Sequence, residues 1–229
     1  MAIVLYDLAG QDDRRFSPHC WRTRMALAHK GLDCEARPTR FGEIASIGQG
    51  QCKTVPAIQD DGRLIVDSWE IASYLEETYS DRPSLFGGAG GQTLTLFVQS
   101  WCASVLHAGL VPLIVLDIHE QLAPEDKDYF RSTREKRFGR PLEEVQAGRE
   151  SRLEDFRKSL EPVRLRLRER PFLGGDGPLY ADHLVFGALQ WARIASPFKL
   201  LADEDPVTSW FERCLDLYGG LGRSAPARA

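Results

Sequence analysis

No part of this sequence is apolar for the ~20 consecutive residues that a membrane-spanning helix requires. The longest such run, Leu110 to Leu116, is seven residues. The first residues, Met1-Ala2-Ile3-Val4-Leu5-Tyr6-Asp7, carry no basic region and no cleavage site, so they do not read as a secretory signal. Cysteine is sparse. Cys20, Cys34, Cys52, Cys102 and Cys214 are odd in number and far apart, with no CxxC pair. That pattern excludes a disulfide framework and points to a reducing, cytoplasmic setting. The five histidines are scattered and none stands at metal-ligand spacing, so no metal site is expected. A basic excess is also missing. The net charge of −4 offers no field to draw nucleic acid or anionic lipid, so neither is expected as a partner. There is no internal repeat and no low-complexity tract.

What remains is a globular composition, 43% hydrophobic and 27% charged, over 229 residues. That length allows one large or two small domains, with a core that needs no covalent staples. The first eighty residues alternate strand and helix. Ile3 to Leu8 reads as a short buried strand. Ser17 then stands as N-cap and Pro18 at the first helical position. Trp21, Met25 and Ala28 recur on one helix face, and Gly31 closes the helix. Leu32, Cys34 and Ala36 alternate with charged residues, which predicts a half-buried strand. Val55 to Gln59 and Arg63 to Val66 flank Asp60-Asp61-Gly62, a hairpin with a short turn. Asp67 and Ser68 are candidate caps of a further helix, with Glu70 placed to complete a capping box and Ile71, Tyr74, Leu75 and Thr78 facing inward. The order β-α-β, then β-β-α, is that of a thioredoxin-like domain.

Composition changes over residues 81–91, read as a linker. Residues 92–229 are helical in period throughout. Phe97, Trp101 and Val105 recur four apart. Leu153, Phe156, Leu160, Val163 and Leu167 step 3-4-3-4 and predict one bundle helix containing Pro162. Leu184 to Ile194 is apolar nearly all round, as a central core helix is. A last helix starts at Asp205-Pro206, carries Val207, Trp210, Phe211, Cys214, Leu215 and Tyr218 on its stripe, and ends at Gly219. The fold class is therefore an α/β thioredoxin-like N-terminal domain, residues 1–80, with an all-α C-terminal bundle.

Several residues carry chemistry or have a plainer structural role. Ser17 is a common N-cap, yet a hydroxyl at a helix N-terminus beside free N–H groups also suits an anion such as a thiolate. Val55-Pro56 is either an edge proline in trans or a cis bond that turns the Val55 backbone to a peptide-like ligand. Asp67 and Ser68 cap a helix, and could in addition hold an ammonium and a carboxylate. Lys53 is either a lone surface cation or a carboxylate partner. Ser17-Pro18-His19-Cys20 has the layout of a redox loop whose first cysteine is replaced, which leaves Cys20 one turn inside the helix and favours packing over thiol exchange. His107 reads as a packed or surface residue rather than a base.

Three stretches together resemble the cytosolic glutathione transferases over nearly the whole chain: Phe16 to Arg24, Thr54 to Ile58, and Val66 to Leu75. Within that family the sequence is similar to the bacterial β-aryl-etherase branch and the etherase-like fungal transferases, also at Leu142 to Glu150 and Asp216 to Arg223. The resemblance implies glutathione as cosubstrate, a homodimer, and a small hydrophobic aromatic electrophile as second substrate. It implies that Ser17 activates the thiol, that the Val55 backbone meets the cysteinyl part, that Asp67 and Ser68 hold the γ-glutamyl end, and that Lys53 meets the glycine carboxylate. Trp101 and Val105 are expected in the second-substrate pocket, although such a stripe equally suits the bundle core. One departure is Leu179, where the family carries a hydroxyl cap before its x-Ala-Asp motif, here Tyr180-Ala181-Asp182. Two alternatives stay open: a non-catalytic ligand carrier, and a thiol oxidoreductase using Cys20.

Overall fold

A computed structural model describes residues 2–228. Strand β1 (Ile3–Leu8) lies at the centre of a four-stranded sheet of order β2-β1-β3-β4, with β2 at Cys34–Thr39, β3 at Ala57–Asp60 and β4 at Arg63–Val66. β1 runs parallel to β2, pairing Ile3 with Cys34, and antiparallel to β3, pairing Tyr6 with Ala57. Helix α1 (Pro18–His29) makes the β1–β2 crossover, and α2 (Ser68–Thr78) follows β4. Asp61 and Gly62 both take positive φ in the β3–β4 turn, which suits a tight hairpin.

The expected strands need two adjustments. β2 starts at Cys34 rather than Leu32, because Leu32 still closes α1 through its N–H to Leu27 O. β3 starts at Ala57, since Pro56 lacks a ladder donor.

The helical part comprises α3 (Ala89–Trp101), a π-helical turn (Cys102–His107), α4 (Ala108–Glu120), α5 (Pro124–Phe138), α6 (Leu142–Gln146), α7 (Arg149–Ser159), α8 (Glu161–Leu167), α9 (Tyr180–Ala195) and α10 (Pro206–Gly220). Helix α3 begins at Ala89, so residues 89–91, read above as linker, are helical. With the π turn and α4 it forms one rod, Ala89–Glu120, long and apolar enough by composition to cross a membrane. Yet Cys102, Leu106, Leu110, Leu113, Ile114 and Ile118 of that rod are buried in the protein's own core.

The stripe from Leu153 to Leu167 is two helices. Pro162 cannot donate into a continuous ladder, and the chain breaks at Leu160. Helix α10 departs from helical angles at Leu217, before the expected stop at Gly219. Tyr218 has φ 54° and leaves the stripe. Its hydroxyl sits 2.8 Å from His29 Nδ1 and 3.1 Å from His183 Nε2.

Helix α9 is the axis on which the two halves meet. Gly187 lets α1 approach so closely that a Cβ there would stand 2.5 Å from the Pro18 carbonyl oxygen. Buried Lys30 pairs with Glu76 at 2.6 Å, and Glu76 accepts from Leu85 N–H, which fixes the segment joining the halves. Tyr180 donates its N–H to Leu85 O and its hydroxyl to Ser68 O, each at 2.7 Å.

Candidate functional site

Ser17 is the N-cap of α1. Its Oγ accepts from Cys20 N–H at 3.3 Å, and Pro18 occupies the first turn. Among the described residues the main-chain N–H of His19 takes no partner. Ser17 is only 4% exposed, and what it exposes faces a cavity between the sheet domain and the helices. The positive end of α1 therefore points a hydroxyl and a free amide into the cavity, a suitable place for an anion.

The Val55–Pro56 peptide is cis. Val55 lines the same cavity, and its own N–H and C=O make no backbone hydrogen bond among the described residues. Pro56 O is taken by Asp67 N–H at 3.2 Å. That bond ties the N-terminus of α2 to the proline segment. It also explains why Glu70 completes no capping box: the Asp67 N–H it would accept from is already engaged. Asp67 adopts φ 82° and caps α2 by accepting from Trp69 N–H at 2.7 Å and Glu70 N–H at 3.4 Å. Ser68 beside it is buried.

The cavity has a volume of about 840 Å³. Ser17, Lys53 and Val55 line it; Asp67 and Ser68 do not, although the Asp67 N–H is bonded to Pro56 O, next to Val55. Trp101 and Val105 do not line it, which corrects the sequence expectation. Trp101 packs half-buried against the core, and Val105 is 36% exposed. The π turn just after Trp101 changes the period of the rod. Ala103, His107, Val111 and Val115 face the cavity instead. Elsewhere on the rod, Phe97 is exposed, and only Val111, Pro112 and Val115 of the Leu110 to Leu116 run reach the cavity. Its aromatic wall comes from Phe16, Phe41, Tyr129, Phe130, Phe138 and Trp191. Sequence reasoning missed these because they belong to segments far apart in the chain that meet only in three dimensions.

A polar cluster adjoins the wall. Buried Arg22 contacts His19 Nδ1 and His107 Nε2, each at 3.1 Å. Burial, then the Arg22 charge, pushes His107 down to about 3. Burial, Arg22 and His107 together hold His19 well below the ordinary histidine value. Both rings are neutral acceptors toward Arg22 near pH 7, so His107 is poorly suited to act as a base.

Cys20 is fully buried, and its Sγ accepts from Leu8 N–H at 3.4 Å. Burial and the nearby Asp7 carboxylate push its thiol well up. It lacks the thiolate that disulfide exchange requires. Asp182 compensates for the missing hydroxyl cap at Leu179. Its carboxylate accepts from Leu173, Gly174 and Leu179 N–H and from Trp210 Nε1 at 2.8–3.0 Å. Among the described residues no cluster of three side chains is suited to a metal ion.

Family models for the glutathione S-transferase N-terminal and C-terminal domains match residues 13–83 and 93–217. The glutathione S-transferase-like protein ustS of Aspergillus flavus is 28% identical over 209 residues, covering 78% of this chain and 75% of that protein. Glutathione transferase GSTFuA2 from Phanerochaete chrysosporium superposes with a TM-score of 0.76 at 27% identity, over 98% of this chain and 95% of the other. The glutathione S-transferase CsGST83044 of Ceriporiopsis subvermispora, solved in complex with glutathione, gives 0.73 at 25% identity, over 98% and 96% of the two chains.

Proposed function

Because this chain belongs to the glutathione S-transferase family, we propose that it is a catalyst in which Ser17 stabilises the glutathione thiolate for attack on an electrophilic carbon. The observation that carries this is the capped N-terminus of α1 opening, beside the unpaired Val55 backbone, into one cavity. The tripeptide's cysteinyl backbone pairs with Val55. Its γ-glutamyl ammonium and carboxylate go to Asp67 and Ser68, and its glycine carboxylate goes to Lys53.

A free thiol titrates near ~8.5, so at neutral pH only a few per cent is ionised. A hydroxyl hydrogen bond to the anion contributes ~1.5–3 kcal/mol. The helix end adds ~0.3–1 kcal/mol. At ~1.36 kcal/mol per unit, the thiol falls by about one to three units; a fall beyond about 1.5 units makes thiolate the main species at pH 7. The thiol proton leaves to solvent before the reaction. The sulfur lone pair then forms the C–S bond, and the bond to phenolate or halide breaks with its electron pair.

The finer reading is cleavage of β-aryl ethers in lignin-like compounds bearing an α-carbonyl, which activates the adjacent carbon. It rests on the etherase-like segments and on a cavity walled by aromatic rings. At about 840 Å³ the cavity stands near the top of the usual ~300–1,000 Å³ range, enough for a second ligand beside glutathione. The test is incubation with glutathione and a fluorogenic β-aryl ether, alongside chloronitrobenzene. Phenol release from either enantiomer is expected. Chloronitrobenzene turnover without phenol release removes the etherase reading alone. Glutathione binding without turnover of either leaves the ligand carrier.

A homodimer is also proposed. Leu94 and Phe97 on α3 are 71% and 73% exposed, an apolar face that a second copy would cover. Sedimentation equilibrium at micromolar concentration checks it, and a monomer would refute it. The five free cysteines, four of them buried, suit the cytoplasm.

A further inference from the structure

The cavity carries an unbalanced charge. Its lining includes Lys53, Arg134, Arg137 and Arg140, and no aspartate or glutamate, in a chain whose net charge is −4. Arg134 and Arg137 stand three apart on α5 and so share a face. Arg140 follows just past Gly139, whose φ of 69° turns the chain out of that helix. Two acids of the same region are engaged elsewhere. Glu135 and Glu143 both pair with Arg131 at 2.8 Å. Among the described residues none of Arg134, Arg137 and Arg140 pairs with a carboxylate. Arg134 lies over the rings of Phe130 at 4.6 Å and Phe41 at 5.6 Å, which places a cation at the aromatic wall itself. Arg134 is half-buried. Its burial, opposed only by Tyr129, combines with the Arg137 charge to lower its pKa. Like charges crowded at an apolar wall repel one another, and a ligand anion relieves that repulsion.

We propose that the second substrate is an aromatic electrophile carrying a carboxylate, its ring against Phe41, Tyr129 and Phe130 and its carboxylate held by Arg134, Arg137 and Arg140. This deepens the transferase reading and rests on it for the word substrate. Lys53 is left to glutathione. The three arginines come from α5 and the segment after it, so they serve the half of the cavity built by the helical domain. Arginine suits the task, because its planar fork binds a carboxylate through two parallel hydrogen bonds.

The test uses a matched pair without a leaving group, 4-amino-3,5-dinitrobenzoate and its uncharged amide. Each is titrated into the full chain with and without glutathione, and binding is read by calorimetry. The carboxylate is expected to bind about tenfold more tightly than the amide. In Arg137→Gln/Arg140→Gln the ratio should shrink to about threefold or less. In Lys158→Gln/Arg168→Gln, which removes equal charge from exposed positions away from the cavity, it should stay as in the native chain. Turnover of 4-chloro-3,5-dinitrobenzoate against its amide then repeats the comparison as a ratio of KM values.

Equal affinity for acid and amide in the native chain overturns the inference. So does a preference unchanged by the Arg137 and Arg140 substitutions. If those substitutions weaken glutathione instead and leave the ratio intact, the cations belong to glutathione and the inference also fails. Preferential binding of the carboxylate with no turnover of either chloro compound sinks the transferase reading while the anion site stands.

Discussion

A hydroxyl at position 17 has two tasks that use different atoms. Its lone pair accepts the Cys20 N–H and starts α1, whereas its proton is what a bound thiolate would accept. Ser17→Ala removes both. The lost hydrogen bond to the anion, ~1.5–3 kcal/mol, should raise the pKa of bound glutathione by at least about one unit. Ultraviolet absorbance of the thiolate, followed against pH in the native chain and the variant, reads this directly. Coincident titrations would assign the activation to the His19 N–H and the helix end. The local geometry at Ser17, Val55 and Asp67 was legible in the sequence because each is written in its own stretch of backbone: a cap before a proline, a proline just before a strand, a cap after a strand. Arg22 and Arg134 were not. Nothing near either in the chain reveals that one is held by an imidazole 85 residues away and that the other borders the cavity.

Among the elements, the contact of α1 with α9 sets where Ser17 stands. The Cβ of a Gly187→Ala variant would come 2.5 Å from Pro18 O, and a main-chain oxygen cannot move aside without moving the helix start. Overpacking of this kind costs about 1–3 kcal/mol. The variant should lose that much stability in urea denaturation and bind glutathione several-fold more weakly. Native stability with weakened glutathione binding would still implicate the helix start, while no change in either would show that the contact is slack. The elements themselves were read well where pattern and punctuation agree, as at β1 and β4. They were misread where one residue type overrode the period. Pro162 splits a stripe into α7 and α8, and the left-handed turn at Tyr218 takes an apparent stripe residue out to meet two histidines.

Across the whole molecule, all five histidines are held below their ordinary value, chiefly by burial: His19, His29, His107, His119 and His183. Each is neutral in the folded chain where the unfolded chain, titrating near ~6.5, is already protonated. The unfolded state then binds more protons, so stability falls as pH drops below about 6.5; for His107 the loss continues to its folded value of about 3. Asp7 and Asp182, whose carboxyls burial pushes up, work in the opposite direction. A single-site comparison isolates one imidazole. His107→Gln keeps an acceptor for Arg22 and should flatten the dependence of urea-unfolding free energy on pH by up to ~1.4 kcal/mol per unit between pH 4 and 6. Parallel pH curves for the native chain and the variant would mean that His107 is protonated alike in both states. The division into a thioredoxin-like half and a helical half was plain from the alternation of periods. The cavity between them was not, because its wall is assembled from the rod, α5 and α9 together.

The π turn at Cys102–His107 works as a phase shift in the rod. An α-helix advances about 100° per residue, so one residue more or fewer turns everything beyond it by that angle. Upstream of the shift the rod presents Leu94 and Phe97 outward; from the turn onward it presents His107, Val111 and Val115 to the cavity. The outward face and the inward face are thus set against each other by a count of residues rather than by any one side chain. Six substitutions there could preserve that phase, whereas a single deletion would rotate the cavity wall out of alignment with the face proposed to meet a second copy.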